Sequence, residues 1–231
     1  MPLPPGRLLV IAAILTGAAF AQIVRPSDHP DASQTSEAAS HHTAPRATQP
    51  QGSNGNVIYL TFDDGPQPVW TPKVLAVLAK HHAVATFFVL GRQAAAYPDL
   101  VATTRSLGHH VGNHTWDHPM LTRLSTARIR QEISTGVSSK CFRPPFRDTD
   151  ARVAAIAASY HQRQVLWDVD TKDWSRPGAA RIERTALQGA RPGAIILMHD
   201  GGGDRRQTVV ALDRVLTKLA AKGYSFQPLD C

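Results

Sequence analysis

The chain has 231 residues, of which 42% are hydrophobic and 19% charged, which is ordinary globular composition and enough for one domain, with or without a tail. The formal net charge of +7 suits a protein that works near an anionic polymer, although a basic background composition explains it equally well. There is no run of Lys and Arg with interleaved aromatics and no zinc-finger spacing, so nucleic-acid binding is not predicted.

The N-terminus has the features of a secretory signal peptide. Arg7 precedes an apolar stretch at residues 8–20, and Ala-Phe-Ala at residues 19–21 has the small-x-small pattern of a cleavage site. We therefore predict a signal peptide at residues 1–21 and a protein that is secreted or associated with the cell wall. The stretch is short for a membrane span, which needs ~20 residues. No stable span is expected after cleavage, and an uncleaved anchor is the alternative.

Residues 22–54 are rich in Pro, Ser, Thr, Gln, Asp and His and have few large apolar side chains. Such a segment cannot bury enough surface to offset its chain entropy, so we predict a disordered spacer followed by a folded domain at residues 55–231. The two cysteines, Cys141 and Cys231, would meet an oxidising compartment after export. A disulfide between them and two free thiols are both open at this point.

Strand and helix signals alternate along the folded domain. A strand is predicted at residues 57–60, and the next helix begins at Thr71, predicted as its cap, with Pro72 in the first turn. A helix capped by Ser125 is predicted to run to residue 135. The other predicted elements, in chain order, are strand 84–90, helix 92–106, strand 109–113, strand 141–143, helix 151–159, strand 164–169, helix 179–188, strand 194–198, helix 208–222 and strand 224–227. This alternation predicts a parallel sheet, open or closed into a barrel.

Polar residues follow the ends of several predicted strands. They are Asp63 and Asp64, His114, Arg143, Asp170 and Asp173, and His199. Groups at so many strand ends can converge only where those ends form a ring, whereas an open doubly wound sheet would separate the outer ones. We therefore predict an α/β fold, a distorted (β/α) barrel with about seven parallel strands.

Two adjacent acids and two nearby imidazoles indicate a metal site. Asp63 and Asp64 repel each other, and each requires its own partner. His114 and His118 have the spacing of metal ligands, and Pro119 predicts that His118 ends a turn. A cation held by both imidazoles and one of the acids would resolve the repulsion, leaving the other acid as a base. An ordinary Asx-type turn would account for Asp64 alone.

Two further motifs have both a structural and a catalytic interpretation. Arg143 can pair with Asp63 and keep it ionised, and the prolines after it can aim the Phe146 N–H at a developing oxyanion. Asp173 can hold a histidine while Trp174 walls a small acyl pocket. Taken alone, the first motif is more often a salt bridge beside a proline turn, and the second a solvated loop with a buried Trp.

A third imidazole, His199, ends an apolar strand. Such a histidine is usually a packed core residue, but here it would face the same ring as the predicted metal ligands. Pairing with a carboxylate raises the pKa of an imidazole and suits it to be a general acid near neutral pH. The glycines at residues 201–203 lack the following Lys-Ser/Thr of a phosphate-binding loop, and the sequence has no Gly-x-Ser-x-Gly nucleophile elbow.

As an ordered set, these motifs resemble the polysaccharide deacetylase family, carbohydrate esterase family 4, with its NodB-homology domain. The motifs begin at Thr61, His114, Arg143, Asp170 and Ile196, and the similarity extends over residues 57–227. The resemblance implies a distorted (β/α) barrel and a divalent cation, by default Zn²⁺. One departure is Arg147, where the family often has Gly, and it could favour an anionic or extended glycan.

The resemblance also implies a role for each site residue. Asp63 is the base, Arg143 positions it, His199 is the acid and Asp173 tunes His199. The implied metal ligands are Asp64, His114 and His118. Phe146 contributes its N–H to the oxyanion, and Trp174 and Leu197 line the acetyl pocket.

The expected function is removal of acetyl groups from N-acetylated sugars of peptidoglycan or chitin-type oligomers, releasing acetate. An O-acetyl esterase acting on xylan with the same site is one alternative. An inactive exported wall-binding module is another, against which the intact acids, ligands and His199 argue. The expected partner is an acetylated glycan, and we expect a monomer.

Overall fold

The computed structural model describes residues 55–231, so the predicted signal peptide and spacer lie outside the described residues. The strands are β1 (Val57–Asp63), β2 (Thr86–Val89), β3 (His110–Asn113), β4 (Cys141–Phe142), β5 (Arg163–Gln164), β6 (Val169–Asp170), β7 (Ile195–His199) and β8 (Ser225–Phe226). The α-helices are α1 (Thr71–Lys80), α2 (Gly91–Ala96), α3 (Pro98–Ser106), α4 (Thr126–Ser134), α5 (Ala151–Ser159), α6 (Ala179–Gly189) and α7 (Arg206–Ala220).

The strands form a curved parallel sheet in the order β5-β4-β3-β2-β1-β7-β6, with β8 paired to the start of β1. The prediction of a distorted (β/α) barrel with about seven parallel strands is confirmed. Strand β1 lies centrally between β2 and β7, which aligns Asp63 with Phe88 on one side and His199 on the other. The register therefore brings the first acid of the sequence beside the histidine that ends β7.

The prediction of one strand at residues 164–169 is wrong, because the chain forms two short strands there, β5 and β6. Strand β5 pairs with β4, whereas β6 pairs with β7 on the opposite side of the sheet. The Val165 N–H still donates to Phe142 O, and the Asp168 N–H already donates to Ile195 O. The segment between them carries the chain from one edge strand to the other. Because β5 and β6 lie at opposite edges of the sheet, one continuous strand could not pair with both β4 and β7.

Two helix predictions also need correction. The helix predicted at residues 92–106 is divided into α2 and α3 at Tyr97, because Pro98 has no N–H to donate and disfavours helical dihedrals in the residue before it. Thr71 is not a side-chain cap of α1, which begins after Trp70. Instead, its hydroxyl accepts a hydrogen bond from the Gln67 N–H and donates one to Asp200. The Ser125 cap of α4 is present.

The main core lies between the sheet and the helices that cover it. Ile58, Leu60 and Phe62 of β1 are fully buried there, against apolar residues of α1 and α7. Cys141 and Cys231 form a disulfide that ties the C-terminus to β4. No helix among residues 55–231 is long and apolar enough to cross a membrane.

Candidate active site

Asp64, His114 and His118 bring three potential ligand atoms together above the end of β1. Their ligand atoms lie within 4.8 Å of one another. Asp64 Oδ1 is 3.6 Å from His114 Nε2 and 3.3 Å from His118 Nε2. Tetrahedral zinc with bonds of ~2.0–2.1 Å separates its ligands by ~3.4 Å, so these spacings suit one such ion. His114 and His118 lie on a loop rather than on a helix.

The protonation state of this cluster also fits a cation. Burial lowers the pKa of His114 to about 3, and burial likewise lowers the pKa of His118. Both imidazoles are therefore neutral near pH 7, the form that binds metal. His114 Nδ1 lies 2.7 Å from the backbone oxygen of Arg143, which leaves Nε2 to face Asp64. Asp64 Oδ1 is buried without a hydrogen-bond partner, and a cation would provide one.

Asp63 has a different environment from Asp64, although they are neighbours in the chain. Its Oδ1 accepts a 2.8 Å hydrogen bond from Arg143 Nη1, and both side chains are almost completely buried. Burial raises the pKa of Asp63, and the Arg143 guanidinium and His199 oppose that rise. Arg143 also donates to the Thr61 hydroxyl and to Val165 O, which fixes the plane of the guanidinium. The paired acid is thus held rigidly beside the ligand cluster.

His199 and Asp173 form a histidine–carboxylate pair on the β7 side of Asp63. Asp173 Oδ1 lies 2.7 Å from His199 Nδ1, and its Oδ2 accepts hydrogen bonds from the His199 N–H and the Thr208 hydroxyl. Burial opposes charge on His199, but the hydrogen bond and the charge of Asp173 outweigh it and raise the pKa of His199 to about 9. Burial also acts to raise the pKa of Asp173, but the bonds to His199 and Thr208 lower it. The imidazole is therefore charged at neutral pH.

A cavity of about 430 Å³ collects most of the predicted residues. Eight of the ten line it: Asp63, Asp64, His114, His118, Phe146, Trp174, Leu197 and His199. The other two, Arg143 and Asp173, lie behind Asp63 and His199 as their partners. Phe146 is 59% exposed and Trp174 is 53% exposed. The ring centroid of Phe146 lies 4.4 Å from that of His118. Leu197 is buried at the cavity wall.

Sequence reasoning missed several residues that contribute to this site. Four line the cavity without a predicted role: Trp167, Asp170, Gly202 and Arg205. Asp170 and Gly202 lie in segments already named above, just after predicted strands, so their sequence positions could have indicated that they line the site. Thr208 had no such signal, because it lies on α7 and reaches Asp173 only through the fold. The Arg147 side chain is exposed, with its Cζ 5.7 Å from the Trp167 ring centroid.

Comparisons with known proteins show which family this chain is similar to. Residues 51–165 match the profile of the polysaccharide deacetylase family. A chitooligosaccharide deacetylase of Azorhizobium caulinodans is 38% identical over 209 residues, covering 80% of this chain and 97% of that protein. The peptidoglycan-N-acetylglucosamine deacetylase PgdA of Listeria monocytogenes is 39% identical, covering 78% of this chain, which spans 40% of that longer protein.

A solved structure agrees with both sequence matches. The family 4 carbohydrate esterase of Streptomyces lividans, in complex with acetate, superposes with a TM-score of 0.70 at 35% identity. That superposition covers 76% of this chain and 93% of the other. The family profile, a relative matched over nearly its whole length and the fold all agree. The chain therefore belongs to the polysaccharide deacetylase family.

Proposed function

We propose that this protein is a secreted, metal-dependent hydrolase that removes acetyl groups from N-acetylated sugars of peptidoglycan or chitin-type oligomers. The observation that carries the proposal is the convergence of Asp64, His114 and His118 within 4.8 Å, beside a buried acid and a charged histidine. The two relatives named above are deacetylases of chitooligosaccharide and of peptidoglycan N-acetylglucosamine. Export through residues 1–21 and action as a monomer are parts of the same proposal.

In this mechanism Asp64, His114 and His118 would hold a divalent cation, with Zn²⁺ the default. When bound, such an ion polarises the acetyl carbonyl and lowers the pKa of a water molecule. Asp63 takes the proton from the attacking water, while Arg143 holds the Asp63 carboxylate in place. With two neutral imidazoles and one carboxylate as ligands, a bound dication would keep a net positive charge, which suits the anionic transition state.

The remaining residues act on the oxyanion and on the leaving group. The N–H of Phe146 donates to the oxyanion, a contribution typically worth ~3 kcal/mol. His199, charged because of Asp173, gives its proton to the leaving nitrogen, and acetate departs. Trp174 and Leu197 enclose the acetyl methyl group. Each of these roles is a proposal for a residue at or directly behind the cavity wall.

An O-acetyl esterase activity on xylan is the second candidate, favoured by the similarity to the Streptomyces lividans carbohydrate esterase. The same groups would serve it, because His199 can protonate a sugar oxygen as well as a nitrogen. An inactive wall-binding module would need none of the catalytic pairs, which are all present.

Acetate release measured side by side on chitin oligomers, peptidoglycan and acetylxylan tests the proposal. We expect release from at least one of the two N-acetylated substrates, with metal bound to the purified protein. Release from acetylxylan alone would replace the proposal with the esterase. Tight binding to cell walls without metal and without acetate from any substrate would support the inactive module.

The pH dependence of the activity should change when Asp173 is replaced. Because Asp173 raises the pKa of His199, Asp173→Asn should lower that pKa and move the alkaline limb of the activity profile to lower pH by ~1–3 units. His199 must be protonated to act as an acid, so activity is retained below its pKa and lost as the pH rises through it. A bound dication would lower this pKa in the wild type and in the variant, so we expect the wild-type limb below about 9. Rates of acetate release across a pH series measure the limb, and an unchanged limb would contradict the assignment.

A further inference from the structure

The loop that carries the two imidazoles has a strained backbone. Thr115 and His118 have φ values of 71° and 68°, in the left-handed region that residues other than glycine rarely adopt. Such a conformation persists only where the surroundings fix it. Since the strain lies between and at the two predicted ligands, whatever holds this loop also sets the separation of their Nε2 atoms.

The N–H groups of residues 115–118 in this loop all donate to side chains. Thr115 N donates to Asn113 Oδ1 over 2.9 Å, and His118 N donates to the Thr115 hydroxyl over 3.1 Å. The two N–H groups between them, those of Trp116 and Asp117, both donate to Glu132 Oε2, over 3.1 and 3.0 Å. Among these acceptors, Glu132 is the one that lies outside residues 113–118, and it binds the two N–H groups in the middle of the loop.

Glu132 is itself fixed in place. It lies on α4 with 0% of its surface exposed, flanked by the fully buried Ile129 and Ile133. Arg128 Nη2 lies 2.9 Å from its Oε1 and balances its charge. Asn113 Nδ2 donates to Ile133 O, which ties the start of the loop to the same helix. A buried carboxylate is costly unless it is paired and hydrogen-bonded. The Arg128 guanidinium and the two loop N–H groups meet that requirement for Glu132.

We propose that Glu132 is a positioning residue for the metal site, holding the loop so that His114 and His118 both face Asp64. This inference rests on the proposed function, because it assumes that these three residues bind a cation. Glu132 does not contact the ligand atoms, and it acts through the Trp116 and Asp117 N–H groups. Partners of this kind typically change metal affinity by ~10–100-fold when removed.

The test compares Glu132→Ala and Glu132→Gln with the wild-type full chain and with Glu183→Ala. Glu183 is the matched control, since it is also a largely buried helical carboxylate with a basic partner, Lys218 Nζ at 2.6 Å, but it lies on α6 away from the cavity. Zinc affinity is measured by competition with a chelator, and the visible spectrum of the Co²⁺-substituted protein reports ligand geometry. Circular dichroism confirms that each variant is folded.

We expect Glu132→Ala to weaken zinc binding ~10–100-fold and to alter the Co²⁺ spectrum. Glu132→Gln, which keeps an oxygen acceptor for both N–H groups, should fall between it and the wild type, and this variant alone decides the matter if the alanine variant does not fold. Wild-type affinity in the Glu132 variants, or an equal loss in Glu183→Ala, would overturn the positioning role. A wild-type protein that binds no metal would instead refute the proposed function.

Discussion

Replacing Asp64 by alanine should remove both the bound metal and the activity. Asp64 supplies the one carboxylate oxygen of the cluster, and its Oδ1 is the atom that lies close to both imidazoles. Two neutral imidazoles alone would leave a dication without any anionic ligand. Since loss of a supporting residue already costs ~10–100-fold, loss of a direct ligand should lower acetate release by more than ~10²-fold. Elemental analysis of the purified variant, together with the acetate assay, measures both effects.

The control for this experiment is Asp170→Asn. Asp170 lines the same cavity and carries the same charge, but it is not a member of the ligand cluster. Its variant should keep the metal. If Asp64→Ala retained full metal content and full activity, the ligand assignment would be wrong. If Asp170→Asn lost metal to the same extent, total negative charge rather than ligation would govern binding.

Much of the site could be predicted because its residues follow strands that are easy to recognise. Strands β1 and β7 are runs of buried apolar residues, and Asp63 and His199 are the residues that end them. In a parallel barrel, the ends of such strands meet, so side chains far apart in sequence become neighbours. The Arg143–Asp63 contact follows the same logic, because β4 ends where Arg143 begins.

The crossing between β5 and β6 could not be predicted, since it depends on pairing partners. The residues between Gln164 and Val169 are apolar enough to resemble one buried strand. Their hydrogen bonds go to Phe142 on one side and to Ile195 on the other. Local propensity carries no information about which neighbouring strand a residue will meet, so it favours one continuous strand. The prediction fails at the two edge strands of the sheet, β5 and β6.

The contribution of Glu132 was missed although the sequence contains a signal for it. Ile129, Glu132 and Ile133 share the buried stripe of α4, so the pattern places a carboxylate where an apolar residue is expected. A charge on such a face requires partners, and this could have prompted a search for them. The identity of those partners, the N–H groups of a loop some fifteen residues earlier, depends on the fold alone.

Replacing His199 by alanine should reduce turnover by ~10²–10⁴-fold while leaving the metal in place. His199 is not a member of the ligand cluster, and its Nδ1 is paired with the Asp173 carboxylate. What the variant loses is the proton for the leaving group, which is needed in the transition state rather than in substrate binding. The loss should therefore appear in kcat, with KM little changed.

His81→Ala is the matched control for that experiment. His81 Nε2 lies 2.7 Å from Asp213 Oδ1, so it forms the same kind of histidine–carboxylate pair, but between the end of α1 and α7 rather than at the cavity. Its loss should leave kcat and metal content at wild-type values. If His199→Ala released its metal, His199 would belong to the ligand set. If it retained wild-type kcat, another group would have to protonate the leaving nitrogen, and the raised pKa of His199 would have only a structural meaning.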